Sequence, residues 1–474
     1  MYELTHYTEE HRLELERLLH SQAWTDTLNS GLVEEVKAQR IEPGKTRNFI
    51  DTVVEQLLAF NEQRVGSLVL QGCQDRDRLM CEVSRWPDRL AGKAPKLSFL
   101  GLNVTSKCNL EPRCLYCNQP SVQSSMSLDA WKGVIREVTE ERDGQGPYIY
   151  ITGGEPLILG AELYGDDGLV RFATERGAGV NVNTNGVLLS PQVAFRLVKA
   201  GLAKLHVSLD TVDREAGNYL RGGHLDKVLE GIYNVQLARD IVGVSYPVIH
   251  TNCVLTNRNL DLFPQLFAFL LEKHKQTALR EDPLYNDLLP HVIPVGGSAN
   301  RCLRPSEEEF ERFYEEIWSG VCRIWGGYQE RVGMPAEKRG ALFGYFSNPF
   351  LRVQHKGGLD AYVQASAQGR YGSLALAQHC YVAPTQAAFT PDGYQYRCGS
   401  HAIRRVLPVG NAAERGIAES IRDGIAGLEC LPDQEHCYGC ALATLYVNQA
   451  VEEKLKQKVE AMLKSKEDIK RSPS

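Results

Sequence analysis

A chain of 474 residues, 43% apolar and 24% charged, has the make-up of an ordinary globular protein and is long enough for two or three folding units. Its formal charge of −6, with no basic block, argues against a nucleic-acid binder, and no apolar run nears the roughly 18 residues of a membrane span. The opening "MYELTHYTEEHRLELERLL" is charged and amphipathic rather than a secretory signal, which points to a cytoplasmic protein. Thirteen cysteines, an odd number, then fit metal ligation better than a disulfide framework.

Residues 1–95 read as a mainly helical region. Apolar residues recur at three- and four-residue intervals in "HRLELERLL" and "NFIDTVVEQLLAF". "VGSLVLQG" reads as a short strand, and "PDRLAGKAPK" as a linker. Over 96–300 strands and helices alternate. Strand "LSFLGLNV" precedes helix "SLDAWKGVIREV", for which Ser127 is the expected N-cap and Leu128, Trp131, Ile135 and Val138 the apolar face. Strands "YIYIT", "VNVNT", "KLHVSL", "VIHTNCVL" and "HVIPV" follow, with helices between them. Six βα units predict an α/β fold, a partial (βα)6 TIM-like barrel, with function at the carboxyl ends of its strands.

The stretch 301–375 reads as a connecting region with one clear helix, "SEEEFERFYEEIW". Residues 376–450 form a small cysteine-rich module, and 451–474 a charged, exposed helical tail.

The first cysteine group, "CNLEPRCLYC", holds Cys108, Cys114 and Cys117, with five residues and then two between them. Three thiolates hold three irons of a cubane cluster and leave the fourth open, whereas four would seal it. A zinc site is the alternative reading of the triplet alone. The group follows the first barrel strand, and three polar motifs end the next strands. These are "ITGGEP" (Gly153, Gly154, Glu155), "NVNTNG" (Asn183, Asn185) and "HVSLD" (Ser208, Asp210), with Arg221 shortly after in "NYLRGG". Two adjacent glycines suit a close backbone approach to a ligand.

Cysteines, motifs and order together resemble the radical S-adenosylmethionine (SAM) superfamily. The usual spacing there is three residues and then two, with an aromatic before the last cysteine. Tyr116 fills the aromatic place, while the first gap of five departs from the pattern. The resemblance implies a catalytic [4Fe-4S] cluster on Cys108, Cys114 and Cys117. It implies that SAM meets Tyr116, Gly153, Gly154, Glu155, Asn183, Asn185, Ser208, Asp210 and Arg221, with Arg221 clamping the carboxylate.

A second group comprises Cys380, Cys398, Cys437 and Cys440, with Cys430 as a spare. Cys380 and Cys398 enclose a hairpin pattern with Gly393 at its turn, and "CYGC" supplies one metal corner. This resembles the SPASM or twitch extension of the same superfamily, and four cysteines imply the one-cluster twitch form, with an auxiliary [4Fe-4S] cluster. A four-cysteine zinc site stays open on spacing alone. The remaining cysteines, Cys253 among them, read as buried apolar side chains.

The implied activity is reductive cleavage of SAM to a 5′-deoxyadenosyl radical, which takes hydrogen from a substrate. Enzymes with such extensions most often modify ribosomally made peptides, by crosslinking, epimerisation or oxidation. The alternatives are a radical dehydrogenase of a small molecule, such as an aminoglycoside or cofactor precursor, and a zinc-stabilised binding protein. An electron donor such as flavodoxin or ferredoxin is the implied partner; no nucleic acid or membrane is expected.

Overall fold

The computed structural model describes residues 4–46, 48–86, 95–119, 121–139, 146–275, 287–296, 298–339, 358–374, 377, 379–417, 419–421, 437 and 440–471. Five helices come first: α1 (Glu9–Leu19), α2 (Gln22–Asn29), α3 (Leu32–Gln39), α4 (Phe49–Leu70) and α5 (Arg76–Ser84). The alternating section runs β1 (Phe99–Thr105), α6 (Leu128–Val138), β2 (Tyr148–Gly153), α7 (Ala161–Tyr164), α8 (Leu169–Thr174), β3 (Gly179–Thr184), α9 (Pro191–Lys199) and β4 (Lys204–Ser208). It continues with α10 (Arg214–Arg221), α11 (Leu225–Val242), β5 (Val248–Leu255), α12 (Phe263–Lys273) and β6 (Pro290–Pro294). Then come α13 (Glu307–Arg312), α14 (Trp318–Arg331), α15 (Gly358–Gln368), β7 (Gln386–Phe389), β8 (Tyr394–Tyr396), α16 (Gly399–Arg404), β9 (Gly410–Asn411) and α17 (Leu442–Arg471).

The fold is α/β. One nine-stranded sheet runs β6-β5-β4-β3-β2-β1-β7-β8-β9, with β1 to β6 parallel and in sequence order. The sheet stays open, with β6 and β9 at its edges. Side chains alternate across it. Leu100, Leu102, Ile149, Ile151, Val180, Val182, Leu205, Val207 and Ile249 are fully buried on one face, under the helices. The other face forms the lumen of the partial barrel. Ser127 caps α6 as expected, its hydroxyl accepting from the Ala130 amide at 3.2 Å, and Trp131 and Ile135 are buried beneath it.

The cysteine-rich module joins this sheet. β7 pairs in parallel with β1, and β8 returns antiparallel through a turn at Gly393, whose φ of +84° favours glycine. Cys380 precedes β7 and Cys398 follows β8, so both lie toward the amino-terminal end of β1. Cys108 lies beyond its carboxyl end.

Two readings of the termini change. "VGSLVLQG" is no strand: through Leu70 it is the last part of the 22-residue helix α4, whose Val65 and Val69 are buried. Propensity favoured a strand, but packing along the whole helix decides. The tail is helical, yet it is not merely exposed. Val451, Leu455 and Val459 form a buried stripe that packs with Val53, Leu57 and Leu79 of α4 and α5 in a core of their own. The linker reading at 87–96 falls mostly outside the described residues. Among the described residues, no helix is long and apolar enough to cross a membrane.

The second core yields a stability test. Leu455→Ala should lower unfolding stability by about 2–4 kcal/mol through lost burial and the cavity left behind. Lys458→Ala, on the exposed face of the same helix, should stay within about 0.5 kcal/mol. Urea denaturation followed by circular dichroism measures both.

Candidate active site

The cysteine loop leaves β1 at Thr105. Ser106 Oγ donates to the Val122 carbonyl at 2.8 Å, and Arg113 folds back to the Ser106 carbonyl at 2.9 Å. The Cys117 amide donates to the Cys114 carbonyl at 3.0 Å, which curls the last two thiols into one turn. Cys108 and Cys114 are half-buried and Cys117 is exposed. Burial pushes the Cys114 thiol up, against the pull of Arg221, and the charges of Cys117 and Cys108 push it further. The long first gap is used: Leu110 within it is buried and lines the adjacent pocket.

The glycine pair works differently from its expected ligand approach. The Gly154 amide donates to the Thr105 carbonyl at 2.7 Å, and the Glu155 amide to the Lys107 carbonyl at 2.8 Å. A Cβ on Gly154 would stand 2.0 Å from the Lys107 carbonyl oxygen, and one on Gly153 would stand 2.4 Å from that of Thr105. What the glycines approach is the backbone of the cysteine loop. Glu155 does not present its side chain to a ligand either. Its fully buried carboxylate accepts from Leu157 N at 3.0 Å, Thr184 Oγ1 at 2.8 Å and Asn185 N at 2.6 Å. Burial raises its pKa, and these three donors pull it back.

Asn185, Ser208, Asp210 and Arg221 meet around one pocket, with Leu110 and Leu225 among its apolar walls. Asn185 Nδ2 bonds Asn109 Oδ1 at 2.7 Å and reaches Cys108 Sγ at 3.9 Å, which ties the pocket to the cysteine loop. Arg221 ends α10, and Gly222, at φ +76°, closes that helix with its amide on the Asn218 carbonyl. The Arg221 guanidinium donates to Tyr116 Oη at 2.7 Å and lies 3.6 Å from Asp210. Tyr116 donates to the Asp210 carboxylate, whose other oxygen accepts from Val254 N at 2.8 Å. Tyr116 thus bridges an acid and a base rather than standing free. Burial raises the Asp210 pKa, opposed first by Arg221.

Asn183 stands apart from this pocket. It faces the lumen, where Asn252 Nδ2 donates to its Oδ1 at 2.7 Å. Cys253 is fully buried on the helix-facing side of β5, packed in the core. It therefore has no access to a substrate.

The thiols of Cys380, Cys398, Cys437 and Cys440 lie near enough to act on one another's ionisation. Burial pushes the Cys398 thiol up to about 12, opposed by amides at the start of α16 and reinforced by the charges of Cys380 and Cys437. Cys440 is raised by burial and by Cys380, Cys398 and Cys437. Asn448 of α17 holds Cys380 Sγ at 3.7 Å and the Val382 amide at 3.2 Å. Cys430 lies outside the described residues. Among the described residues, no three His, Cys, Asp or Glu side chains are gathered as the ligands of one metal ion. Cluster ligands each take a separate corner, so both thiol groups still suit that chemistry.

One set of residues escaped the sequence reading. His206, His250 and His291 sit on β4, β5 and β6 and face the lumen. The signal was present: "KLHVSL", "VIHTNCVL" and "HVIPV" each carry one imidazole on neighbouring strands.

Residues 102–260 match the family model described as the radical SAM superfamily. A GTP 3′,8-cyclase of Peptoclostridium acidaminophilum is 37% identical over 157 residues, 31% of this chain and 45% of that protein. An AdoMet-dependent heme synthase of Methanosarcina barkeri is 29% identical over 185 residues, 38% of this chain and 48% of that one. A mycofactocin maturase, MftC, of Mycobacterium tuberculosis is 30% identical over 247 residues, 51% of this chain and 57% of that protein. The chain thus spans about half the length of the curated relatives it matches.

Gly154→Ala tests the clasp between β2 and the cysteine loop. The added methyl should displace the loop and lower thermal stability by several degrees, since about 1 kcal/mol shifts a midpoint by a few degrees in a chain this large. Gly133→Ala, which meets open space on α6, should do neither harm nor more than a slight gain. Differential scanning fluorimetry of the two variants reads the contrast.

Proposed function

We propose that this chain, whose residues 102–260 match the radical SAM family model, is a radical SAM enzyme that modifies a ribosomally made peptide by hydrogen abstraction. The observation that carries the reading is the placing of three thiols beside the pocket walled by Asn185, Ser208, Asp210 and Arg221. Cys108, Cys114 and Cys117 would hold a [4Fe-4S] cluster, and the pocket would take SAM. When bound, that pair supplies a one-electron cleavage strong enough to draw hydrogen from an unactivated carbon. The chain's own part is to bind, orient and exclude water. Arg221, braced by Tyr116 and Asp210, offers its remaining N–H groups to a carboxylate. Cys380, Cys398, Cys437 and Cys440 would hold an auxiliary [4Fe-4S] cluster. A small reductant such as flavodoxin or ferredoxin would supply the electron.

The peptide reading is supported by the cysteine-rich extension and by the maturase, the relative matched over the longest stretch of the three. A small-molecule dehydrogenase is the second reading, favoured by the cyclase and heme synthase matches. Anaerobic turnover with candidate peptides against small polar substrates separates the two.

Reconstitution with iron and sulfide under anaerobic conditions, then SAM and dithionite, should release 5′-deoxyadenosine. Changing Cys108, Cys114 and Cys117 together to Ala should abolish it; persistence of cleavage would remove the assignment. Changing Cys398 and Cys440 to Ser should lower iron from about eight to about four atoms per chain, the loss of one cubane. A zinc protein would give no iron and no absorbance near 400 nm, a region where thiolate–iron clusters absorb, expected at about that wavelength.

A further inference from the structure

Beside the second cysteine group stands a glutamine whose amide nitrogen has nothing to bond. Gln386 opens β7 and is 7% exposed, and its Nε2 has no hydrogen-bond partner among the described residues. A buried N–H without an acceptor is costly, because its bonds to water are given up and nothing replaces them. The place of this side chain in the hairpin shows which acceptor is missing.

Strand alternation sets its direction. Ala387 and Phe389 pack in the main core, and Phe389 meets Trp131 of α6, so these positions of β7 face the helices. Ala388 packs instead with Tyr396 and Ala402. Gln386 shares the face of Ala388. In the antiparallel hairpin Ala388 pairs with Tyr396 and Phe389 with Gln395. Carried two residues further, the same register sets Gln386 opposite Cys398, whose backbone is still extended at φ −157° and ψ 164°. Residues opposite one another in an antiparallel pair project to the same face, with Cβ atoms about 4.5–5.5 Å apart. On the other side, Ala383, three residues before Gln386, packs with Cys380 and Cys437. Gln386 therefore lies among three of the four thiols.

These sulfurs call for donors. Burial raises Cys398 and Cys440, and the charges of the neighbouring cysteines raise them further. Cys380 has a side-chain donor already, since Asn448 Nδ2 lies 3.7 Å from its Sγ. A thiolate offers lone pairs and no hydrogen, so the amide nitrogen of Gln386, rather than its oxygen, is the atom that suits it.

We propose that Gln386 donates its Nε2–H to the Cys398 sulfur of the auxiliary cluster and so raises the reduction potential of that cluster. The inference rests on the reading of Cys380, Cys398, Cys437 and Cys440 as the ligands of a [4Fe-4S] cluster. An added electron makes the cluster sulfurs more negative, and a hydrogen bond to one of them favours the reduced form. A zinc ion on the same four thiolates takes up no electron and has no such potential to shift.

The test uses the full-length chain with Cys108, Cys114 and Cys117 changed to Ala, reconstituted with iron and sulfide so that the auxiliary cluster alone is present. It needs neither SAM nor substrate. Pulsed EPR of the reduced protein, isotopically labelled at the side-chain nitrogen of glutamine, should show a weak coupling to the label, and Gln386→Met should remove it. In an EPR-monitored redox titration Gln386→Met should move the midpoint to lower potential. The expected change is about three- to tenfold in the oxidised-to-reduced ratio at fixed poise, tenfold being about 59 mV for one electron. Gln395→Met, the same change on the opposite face of the hairpin, should leave both readings as they are. Absence of the coupling with Gln386 in place overturns the proposal without relying on a folded variant. So does an unchanged midpoint in a Gln386→Met protein that keeps about four irons. A chain that takes up no iron at all overturns the auxiliary-cluster reading as well, and the iron count tells the two failures apart.

Discussion

The buried carboxylate of Glu155 is the tie on which the site depends. A carboxylate at zero exposure is tolerable only with its lone pairs filled, and here β2 supplies the acid while β3 supplies most of the donors. Its own amide bonds Lys107, one residue before Cys108. Asn185, whose amide the carboxylate holds, reaches Asn109 and Cys108 with its side chain. Three strand ends and the first thiol are therefore fixed by one side chain and its neighbours. The paired glycines exist for the same contact, since any Cβ there would strike the loop that carries the cysteines.

A second tie closes the loop from the other side. Tyr116, between Cys114 and Cys117, is bound to both Asp210 and Arg221. Asp210 in turn holds the Val254 amide of β5. The two ends of the cysteine loop are thus anchored to β2 and β3 on one side and to β4 and β5 on the other. A guanidinium carries five N–H donors, and only part of that capacity is spent on Tyr116 and Asp210. Holding Arg221 in place before any ligand arrives removes rotamer entropy from the cost of binding.

Local pattern made the parallel strands, the α6 cap and the Gly393 turn legible, because each follows from a short-range rule. Polar residues at strand ends were legible as a set but not in their individual roles. Glu155 and Asn183 carry the residue types of ligand contacts, yet one is turned into the interior and the other into the lumen. No spacing rule reports which way a side chain turns after a strand ends. The strand reading of "VGSLVLQG" failed for a related reason. Its β-branched residues serve a helix whose partner, α17, lies almost four hundred residues later in the chain. The imidazole cluster was hidden because each histidine is unremarkable alone, and only register across β4, β5 and β6 brings them together.

That register also fixes the relation between the two cysteine groups. β7 lies parallel to β1, and the β7–β8 hairpin returns the chain to where it began. Cys108 consequently leaves one end of β1, while Cys380 and Cys398 flank the other. A seven-residue strand rises about 3.3 Å per residue, so the groups stand on the order of 20 Å apart. His206, His250 and His291 lie on the inner face of the same sheet. Helix α17 fixes the far group, with Asn448 on Cys380 and its apolar stripe on α4 and α5. The amino-terminal helices reach the far group directly: Cys380 packs against the core they share with α17, and Ser84 of α5 accepts from Tyr381 beside it at 3.4 Å. They also brace the helix that holds Cys380, while Glu155 braces the loop that carries Cys108.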